Sequence, residues 1–169
     1  IEKHILNTAG IENYSNYQFD MVRLGIGLYG ISGGNNNLDI KPVSTLKTVI
    51  IQLKEVKSGD SIGYGRQTRA NLDMTIAILP IGYSDGLRRN LGNRNYKFYT
   101  NDQYCDVVGN VCMDLCMIDV TGLDIKVGDE VEIFGDNNSV SKLAKAIGTI
   151  PYEVLTSVSQ RVKRVFVQE

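Results

Sequence analysis

The sequence predicts a mainly β chain with one or two short helices, and three observations carry this prediction. Runs rich in β-branched residues recur along residues 43–134, separated by turns such as KSGD, VGDE and FGDNN. The longest nearly unbroken apolar run, VVGNVCMDLCMIDV at residues 107–120, lacks helical spacing and is too short to span a membrane. One clear helical pattern covers residues 139–148. Strands at this spacing indicate a barrel or a sandwich.

The first 39 residues predict a small separate region and a linker. The apolar run MVRLGIGLYGI, residues 21–31, contains glycines at positions 25, 27 and 30. Glycines this dense let backbone amides approach a phosphate closely, although a glycine-rich turn between elements explains them too. The sequence SGGNNNLD at residues 32–39 has almost nothing to bury and predicts a linker. We therefore place residues 1–31 in one domain and residues 40–169 in another.

Beyond the linker, strands and two helices are expected in a defined order. The predicted strands are residues 43–56, 74–81, 96–100 and 130–134. The central apolar run adds two strand segments that meet at Cys112 to Asp114. A helix begins at Ser139 or Ser141 and ends at Gly148. A further helical turn runs from Pro151 to Val158, with proline at its first position. Alternation in QRVKRVFV, residues 160–167, predicts a final edge strand.

Composition limits the classes of function. A chain of 169 residues suits one domain, or one domain plus part of another, and a net charge of -1 argues against nucleic acid or an anionic membrane as the main partner. Three cysteines without framework spacing predict unpaired thiols in a reducing cytoplasm, and a single histidine makes a metal site unexpected. The N-terminus, IEKHILNTAG, shows neither a leader nor an initiator Met, so we expect no targeting signal and interpret the chain as a fragment.

Four polar residues require an explanation. Asp114 lies inside the apolar run, so it needs an arginine or backbone donors as partners, unless its segment lines a cleft. A core strand with one satisfied carboxylate would also explain it. Tyr64 lies between two glycines in IGYGR, and Tyr83 follows a glycine in IGYSDG. Such tyrosines reach into sites, or they cover the core at a hairpin corner. Tyr152 follows a proline at a predicted helix start, where free amides and the phenol can face an anion.

The ordered set RLGIGLYG, IGYGR, IGYSDG, VGNVCMDLCMIDV and PYEV…QRVKR resembles the C-terminal portion of bacterial alanine racemases, and the resemblance covers the whole chain. It implies that residues 1–31 end a (β/α)8 barrel and that residues 40–169 form a separate C-terminal β-barrel-like domain. It also implies a cytoplasmic isomerase that interconverts L- and D-alanine with pyridoxal phosphate, for the supply of peptidoglycan precursors. The Schiff-base lysine of the family belongs to the missing N-terminal barrel half, so the isolated chain is expected to be inactive.

The resemblance implies cofactor-binding roles by position. Arg23 is expected to hydrogen-bond the pyridine nitrogen, and His4 to hold Arg23. A guanidinium there leaves the ring nitrogen unprotonated, which suppresses side reactions such as transamination. The cofactor phosphate lies where barrels of this fold usually bind anions, after strands seven and eight. Its expected ligands are the Thr8 hydroxyl, the amides of Gly25 and Ile26, and Tyr152.

Tyr64 matches the base that serves the L face of the substrate α-carbon, while the absent lysine serves the D face. Two groups are needed because one removes the proton and the other returns a proton to the opposite face. A phenol is a weak base at neutral pH, so it needs a neighbouring positive charge or donor, which the resemblance places in the missing half. In the family's head-to-tail homodimer, this domain supplies residues to the neighbouring subunit's site. The implied substrate-binding residues are Met113, Asp114 and Tyr83.

Two alternative functions stay open at this stage. The chain could belong to a serine or broad-specificity amino-acid racemase, because one pocket substitution can admit a hydroxymethyl group. It could also be a non-catalytic β-barrel module that docks onto another protein. Composition allows the module, but it gives no reason for the tyrosines and Met113 to occur in the racemase order.

Overall fold

The structure is a computed structural model that describes residues 1–33 and 40–167. The chain divides into two compact units, Ile1–Thr45 and Leu46–Glu169. Most of the predicted linker, residues 34–39, lies outside the described residues, so the division at residues 32–39 stays a prediction. None of the helices in the described ranges has the length and apolarity that crossing a bilayer requires.

The first unit is largely irregular, with one short α-helix in its described part, α1 (Thr8–Asn13). Asn7 caps this helix, because its side chain accepts a hydrogen bond from the Gly10 N–H at 2.9 Å. Two 3-10 helices follow, at Ser15–Tyr17 and Ile26–Tyr29. His4 and Met21 form an isolated parallel bridge.

The second unit is mainly β, which confirms the predicted fold class. Its described strands are β1 (Leu46–Val49), β2 (Gln52–Val56), β3 (Ser61–Ile62), β4 (Thr68–Arg69), β5 (Met74–Leu79), β6 (Lys97–Thr100), β7 (Gln103–Val108), β8 (Cys116–Asp119) and β9 (Glu130–Phe134). Two helices, α2 (Val140–Ile147) and α3 (Pro151–Ser157), follow the last strand. Both helices were predicted. The edge strand predicted at residues 160–167 is wrong, because this segment forms a turn and irregular chain.

Seven strands form one curled antiparallel sheet in the order β1-β9-β6-β7-β8-β5-β2. The two edge strands, β1 and β2, are consecutive in the chain and only two residues separate them. The connecting Ile50 N–H donates to Asp129 O at 3.0 Å, and the Ile51 N–H donates to Ile78 O at 3.0 Å. Ile50 and Ile51 are adjacent in the chain but bond to opposite ends of the sheet. The sheet must therefore curl until its two edge strands meet, which gives a barrel-like shape. The single strand predicted at residues 43–56 is therefore two strands joined by a corner.

Large apolar side chains fill the interior of the curled sheet. Phe98, Leu79, Val107 and Ile118 have 0% exposure. Burial of side chains of this size contributes about 1.5–3 kcal/mol each to stability. Ile118 of β8 pairs with Val107 of β7 on one side and with Ala77 of β5 on the other. These three well-packed strands give the loops at their ends a rigid base.

Candidate active site

Tyr64 lies at the tip of the short hairpin formed by β3 and β4. It begins a 3-10 turn, Tyr64–Arg66, and the adjacent Gly63 and Gly65 have φ angles of 74° and 79°. Residues with a side chain rarely adopt these angles, so the turn requires its glycines. Ile62, which is 4% exposed, anchors the hairpin in the core, whereas Tyr64 is 79% exposed. Within residues 1–33 and 40–167 the Tyr64 hydroxyl forms no hydrogen bond, so it is accessible to a partner from outside.

Tyr83 and Met113 lie on two loops that pair with each other beyond the ends of β5 and β8. The Tyr83 N–H donates to Cys112 O at 3.0 Å, and the Ser84 N–H donates to Met113 O at 3.0 Å. A Cβ atom on Gly82 would lie 2.3 Å from both of these carbonyl oxygens, so only glycine permits the approach. The Tyr83 and Met113 side chains are half exposed. The pairing fixes them on neighbouring positions of one surface.

A single arginine bridges these two loops through their carboxylates. Arg161 Nε donates to Asp85 Oδ1 at 2.6 Å, and Arg161 Nη2 donates to Asp114 Oδ1 at 2.5 Å. The other oxygen of Asp85 accepts the Gly82 N–H at 2.8 Å. Asp114 thus pairs with an arginine, which is one of the partners that the sequence allowed. The prediction that Asp114 lies in a buried strand is wrong, because it lies in a loop and its side chain is 55% exposed. We refer to this arrangement as the Asp85–Arg161–Asp114 bridge.

The bridge perturbs the titration of its buried carboxylate. Burial raises the pKa of Asp85, but the hydrogen bonds from Arg161 and Gly82 outweigh burial and hold its pKa below the ordinary value. The hydrogen bonds that Arg161 donates, first to Asp85 and then to Asp114, raise the pKa of Arg161. Asp85 and Arg161 are therefore both ionised at neutral pH.

A pocket of about 450 Å³ brings the predicted residues together. Ligand sites in proteins are commonly of this size. Arg89 contributes a positive charge to the wall of this pocket, and a positive charge suits an anionic group such as a carboxylate. The lining residues are Tyr64, Tyr83, Arg89, Asn110, Val111, Cys112 and Met113. Three predicted site residues, Tyr64, Tyr83 and Met113, thus share one pocket, whereas Asp114 is held by the bridge.

In the first unit, Thr8 organises the glycine-rich segment. Its hydroxyl oxygen accepts the Gly25 N–H at 3.1 Å and the Gly27 N–H at 3.2 Å, and the residue is 4% exposed. A hydroxyl has two lone pairs and one proton, so these two bonds leave the proton free to donate. Ile26 is the first residue of its 3-10 helix, where an amide has no acceptor within the helix. The Thr8 hydroxyl and the Ile26 amide can therefore donate to a phosphate group, whereas the Gly25 amide, which was also predicted to do so, already donates to Thr8.

Arg23 and His4, the other two residues of this unit that were predicted to serve the cofactor, do not contact each other through a hydrogen bond in the described part of the chain. The Arg23 side chain donates to Ile5 O at 2.7 Å, and its backbone N–H donates to Leu6 O at 2.8 Å. Among the hydrogen bonds of residues 1–33 and 40–167, none joins Arg23 to His4. The backbone carbonyl of Ile5 therefore positions the guanidinium, and the predicted role of His4 stays a prediction.

Tyr152 lies in the first turn of α3 in the second unit. The helix begins with proline at its first position, as predicted, and the tyrosine ring is half exposed. The following Glu153 forms an ion pair with Arg88 and accepts a hydrogen bond from Thr149. These contacts fix the start of the helix that carries Tyr152.

Sequence reasoning missed three residues of the site. Asn110 and Arg89 line the pocket, and Arg161 bridges the loops. An acid inside an apolar run predicted that a partner was needed, but nothing in the sequence identifies Arg161, which lies 47 residues from Asp114. Asn110 gave no signal because an asparagine after a glycine is typical of a turn.

The fold and the pocket define a class of protein: a barrel-like β domain that presents an exposed phenol in a pocket of small-molecule size. A family model for the alanine racemase C-terminal domain matches residues 43–166. The alanine racemase of Clostridium novyi (strain NT) is 42% identical, over 98% of this chain and 45% of its own length.

Solved structures give the same result. The alanine racemase of Clostridium difficile 630 in complex with cycloserine has a TM-score of 0.88 and 40% identity, over 95% of this chain and 44% of that chain. The alanine racemase of Bartonella henselae with covalently bound pyridoxal phosphate has a TM-score of 0.91 and 34% identity, over 98% and 47%. The chain spans slightly under half of the length of these relatives. It belongs to the alanine racemase family and contains the C-terminal domain of that family.

Proposed function

We propose that the complete protein containing this chain is a pyridoxal phosphate-dependent alanine racemase in which Tyr64 is the acid–base group for the L face of the substrate. The observation that carries the proposal is the exposed Tyr64 phenol, without a hydrogen-bond partner in residues 1–33 and 40–167, in a pocket shared with Tyr83 and Met113. Family membership supports the class of reaction.

The proposed chemistry is a transfer of the α-proton between two faces. The cofactor, when bound, withdraws electron density from the α-carbon and so makes its proton removable. As a phenolate, Tyr64 takes this proton from L-alanine. As a neutral phenol, it donates a proton to the same face when D-alanine is converted. A lysine outside this chain serves the opposite face. Arg23, Thr8, Ile26 and Tyr152 are the residues of this chain assigned to the cofactor. Gly25 supports Thr8 through its amide, and His4 is assigned to support Arg23.

The pocket lining supports a small substrate. Tyr64, Tyr83 and Met113 line the pocket, and Tyr83 is assigned to a narrow entrance that excludes larger amino acids. The backbone amide of Met113 helps to bind the substrate carboxylate, and the neighbouring Asp114 is held in place by Arg161. This assignment favours alanine over serine, and it is the finer part of the proposal.

The direct test measures racemisation by the complete enzyme with L-alanine and L-serine. We expect the Tyr64→Phe variant to lose about 10²- to 10⁴-fold in the L-to-D rate, the range for a lost acid–base group. Tyr14→Phe is the matched control, because Tyr14 is also exposed, at 62%, and lies outside the pocket. Equal rates for the two variants would contradict the role of Tyr64, and a higher kcat/KM for L-serine than for L-alanine would contradict the substrate.

The proposal includes a head-to-tail homodimer in which Tyr64 and Met113 serve the site of the neighbouring subunit. Their exposure in this chain supports it, because a base must be covered from water to act efficiently. We would mix inactive Tyr64→Phe subunits with inactive subunits in which the Schiff-base lysine is replaced. If the sites are shared between subunits, mixing restores about a quarter of the wild-type rate. Half of the reassociated dimers are mixed, and each mixed dimer has one intact site of its two. If each site were built within one subunit, mixing would restore no activity, and this result would contradict the proposed dimer.

The proposed setting is the cytoplasm, where the enzyme supplies D-alanine for peptidoglycan precursors. Residues 1–31 then belong to a (β/α)8 barrel whose other half carries the lysine, and residues 40–169 form the C-terminal domain. The isolated chain is expected to be inactive, because none of its lysines lies in the family's lysine motif. Racemisation of L-alanine by the isolated chain at ordinary enzyme rates would show that the lysine is wrongly assigned.

A further inference from the structure

Three side chains form a continuous chain of hydrogen bonds that ends at the backbone of Tyr64. The Thr68 hydroxyl donates to Asn93 Oδ1 at 2.7 Å, and Asn93 Nδ2 donates to Asn110 Oδ1 at 3.1 Å. Asn110 Nδ2 then donates to Tyr64 O at 3.3 Å. Every bond runs in the same direction, so turning either amide over would place two acceptors or two donors against each other. The chain of bonds therefore has one self-consistent arrangement.

Asn93, in the middle of this chain of bonds, is fixed to the sheet. The Asn93 N–H donates to Gly109 O at 2.8 Å, and the next N–H, of Arg94, donates to Val107 O at 2.7 Å. Asn93 has a φ of 57°, a left-handed conformation that asparagine tolerates better than most residues. Asn93 is thus bound to the end of β7, which is part of the buried core.

The near end holds a segment with few other restraints. The bond within the turn, from the Arg66 N–H to Gly63 O, is long at 3.4 Å. Residues 63–67 are all exposed. Among the hydrogen bonds of the described residues, the bond from Asn110 is the one that reaches the Tyr64 backbone from outside its turn. The position of the phenol therefore depends on Asn110.

We propose that Asn110 is a positioning residue for the racemase reaction, and that Asn93 and Thr68 hold its amide in the required orientation. The inference rests on the proposed role of Tyr64 as the base for the L face. Asn110 acts through the backbone of Tyr64, because a proton-transfer group must lie within hydrogen-bond reach of the α-carbon proton. Its loss lets the turn move, and the transfer on the L face slows.

The test compares Asn110→Asp with Asn101→Asp in the complete enzyme. The first substitution keeps the size of the side chain but replaces the donor to Tyr64 O with an oxygen. The control removes the same type of bond, because Asn101 Nδ2 donates to Asp124 O at 3.0 Å and Asn101 does not line the pocket. We expect kcat for L-alanine to fall about 10- to 100-fold in Asn110→Asp, the cost of misplacing a reacting group, with KM changed less than about twofold. We expect Asn101→Asp to retain the wild-type kcat.

Isotope effects separate positioning from a general loss of structure. The kinetic isotope effect with α-deuterated L-alanine is expected to rise in Asn110→Asp, since proton removal by Tyr64 becomes the slow step. The effect with α-deuterated D-alanine should not rise. Unchanged isotope effects, a kcat equal to that of the control, or an increase in KM alone would each overturn the proposal. The last result would mean that Asn110 binds the substrate directly.

A double variant distinguishes failure of this inference from failure of the proposed function. If Asn110 acts through Tyr64, then adding Asn110→Asp to Tyr64→Phe produces no further loss of L-face exchange. A full additional loss in the double variant overturns the inference alone. A wild-type rate in Tyr64→Phe overturns the role of the base, and the inference with it.

Discussion

The Asp85–Arg161–Asp114 bridge allows a quantitative test of what holds together the two loops that carry Tyr83 and Met113. Asp85 is 7% exposed, and each of its two oxygens accepts one donor, the Gly82 N–H and Arg161 Nε. In Asp85→Asn the single amide oxygen can satisfy only one of these donors, and the amide nitrogen faces the other. We expect the free energy of unfolding to fall by about 2 kcal/mol, which is typical of a lost charge-assisted hydrogen bond with an unsatisfied buried donor.

Asp73 provides a matched control for this substitution. Its two oxygens also accept one lysine and one backbone N–H, from Lys57 Nζ at 2.9 Å and the Ser58 N–H at 2.9 Å. The difference is exposure, because the Asp73 side chain is 61% exposed. Exposed ion pairs contribute little to stability, so Asp73→Asn should change the urea midpoint only slightly.

The pH dependence gives a second check on the same carboxylate. The pKa of Asp85 is lower in the folded protein than its ordinary value of 3.8, so the unfolded chain takes up protons first as the pH falls. The stabilisation by Asp85 is complete above the ordinary pKa and is lost as the pH falls through the folded pKa. The stability difference between wild type and Asp85→Asn should therefore be full at neutral pH and shrink below pH 3.8.

Urea unfolding followed by circular dichroism measures both effects. We expect the Asp85→Asn variant to unfold at a lower urea concentration at neutral pH, with the gap to wild type narrowing in acid. A loss no larger than that of Asp73→Asn would refute the reasoning. A gap that is independent of pH would also refute it, because the charge would then contribute nothing.

Three further predictions follow from individual residues. Phe98→Ala should lower the free energy of unfolding by about 3–5 kcal/mol in urea titrations, because the ring is fully buried and a cavity remains. In a thiol titration of the native protein at pH 8, Cys112 should react first, because burial raises the pKa of Cys105 to about 11 and raises that of Cys116 further; equal reactivity of all three would contradict this. Ser139→Ala should lower the free energy of unfolding by about 1 kcal/mol, because it removes the cap of α2. The control, Ser141→Ala, should leave the free energy of unfolding unchanged.

The helical part of the fold was predictable because its signals are local. The Ser139 side chain accepts the Lys142 N–H at 3.3 Å, and Gly148 ends α2 in the left-handed conformation that the sequence indicated. The central apolar run contributes the end of β7, at Val107 and Val108, and the whole of β8. The two segments do not meet at Cys112 to Asp114 as predicted, because Gly109 turns the chain out of the ladder with a φ of 64° and residues 109–115 form a loop.

The errors arise where side-chain contacts or sheet edges override the hydrophobic pattern. Alternation at residues 160–167 predicted a strand, but the Arg164 side chain donates to three carbonyls of the preceding turn, those of Val158, Ser159 and Val162. The corner at Ile50 could not be read from its neighbours, because it depends on the two sheet edges that meet there. Hydrophobic pattern identifies which residues are buried, but it does not determine which edge they join.

The candidate site shows the same division. Resemblance could assign Tyr64, Tyr83 and Met113, and the pocket contains all three. Their supports, Asn110 and Arg161, depend on the approach of segments far apart in the chain, which a single sequence does not reveal. Residues that contact a ligand leave sequence motifs more readily than the residues that position them.

The most direct test of the central claim follows α-proton exchange in deuterated water by nuclear magnetic resonance, using the complete enzyme and its Tyr64→Phe variant. In the variant, L-alanine should lose its α-proton signal about 10²-fold or more slowly than with wild type, because the group on that face is gone. D-Alanine should still exchange, because the lysine on the opposite face is intact. Exchange of L-alanine at the wild-type rate, or an equal loss with both enantiomers, would contradict Tyr64 as the base for the L face.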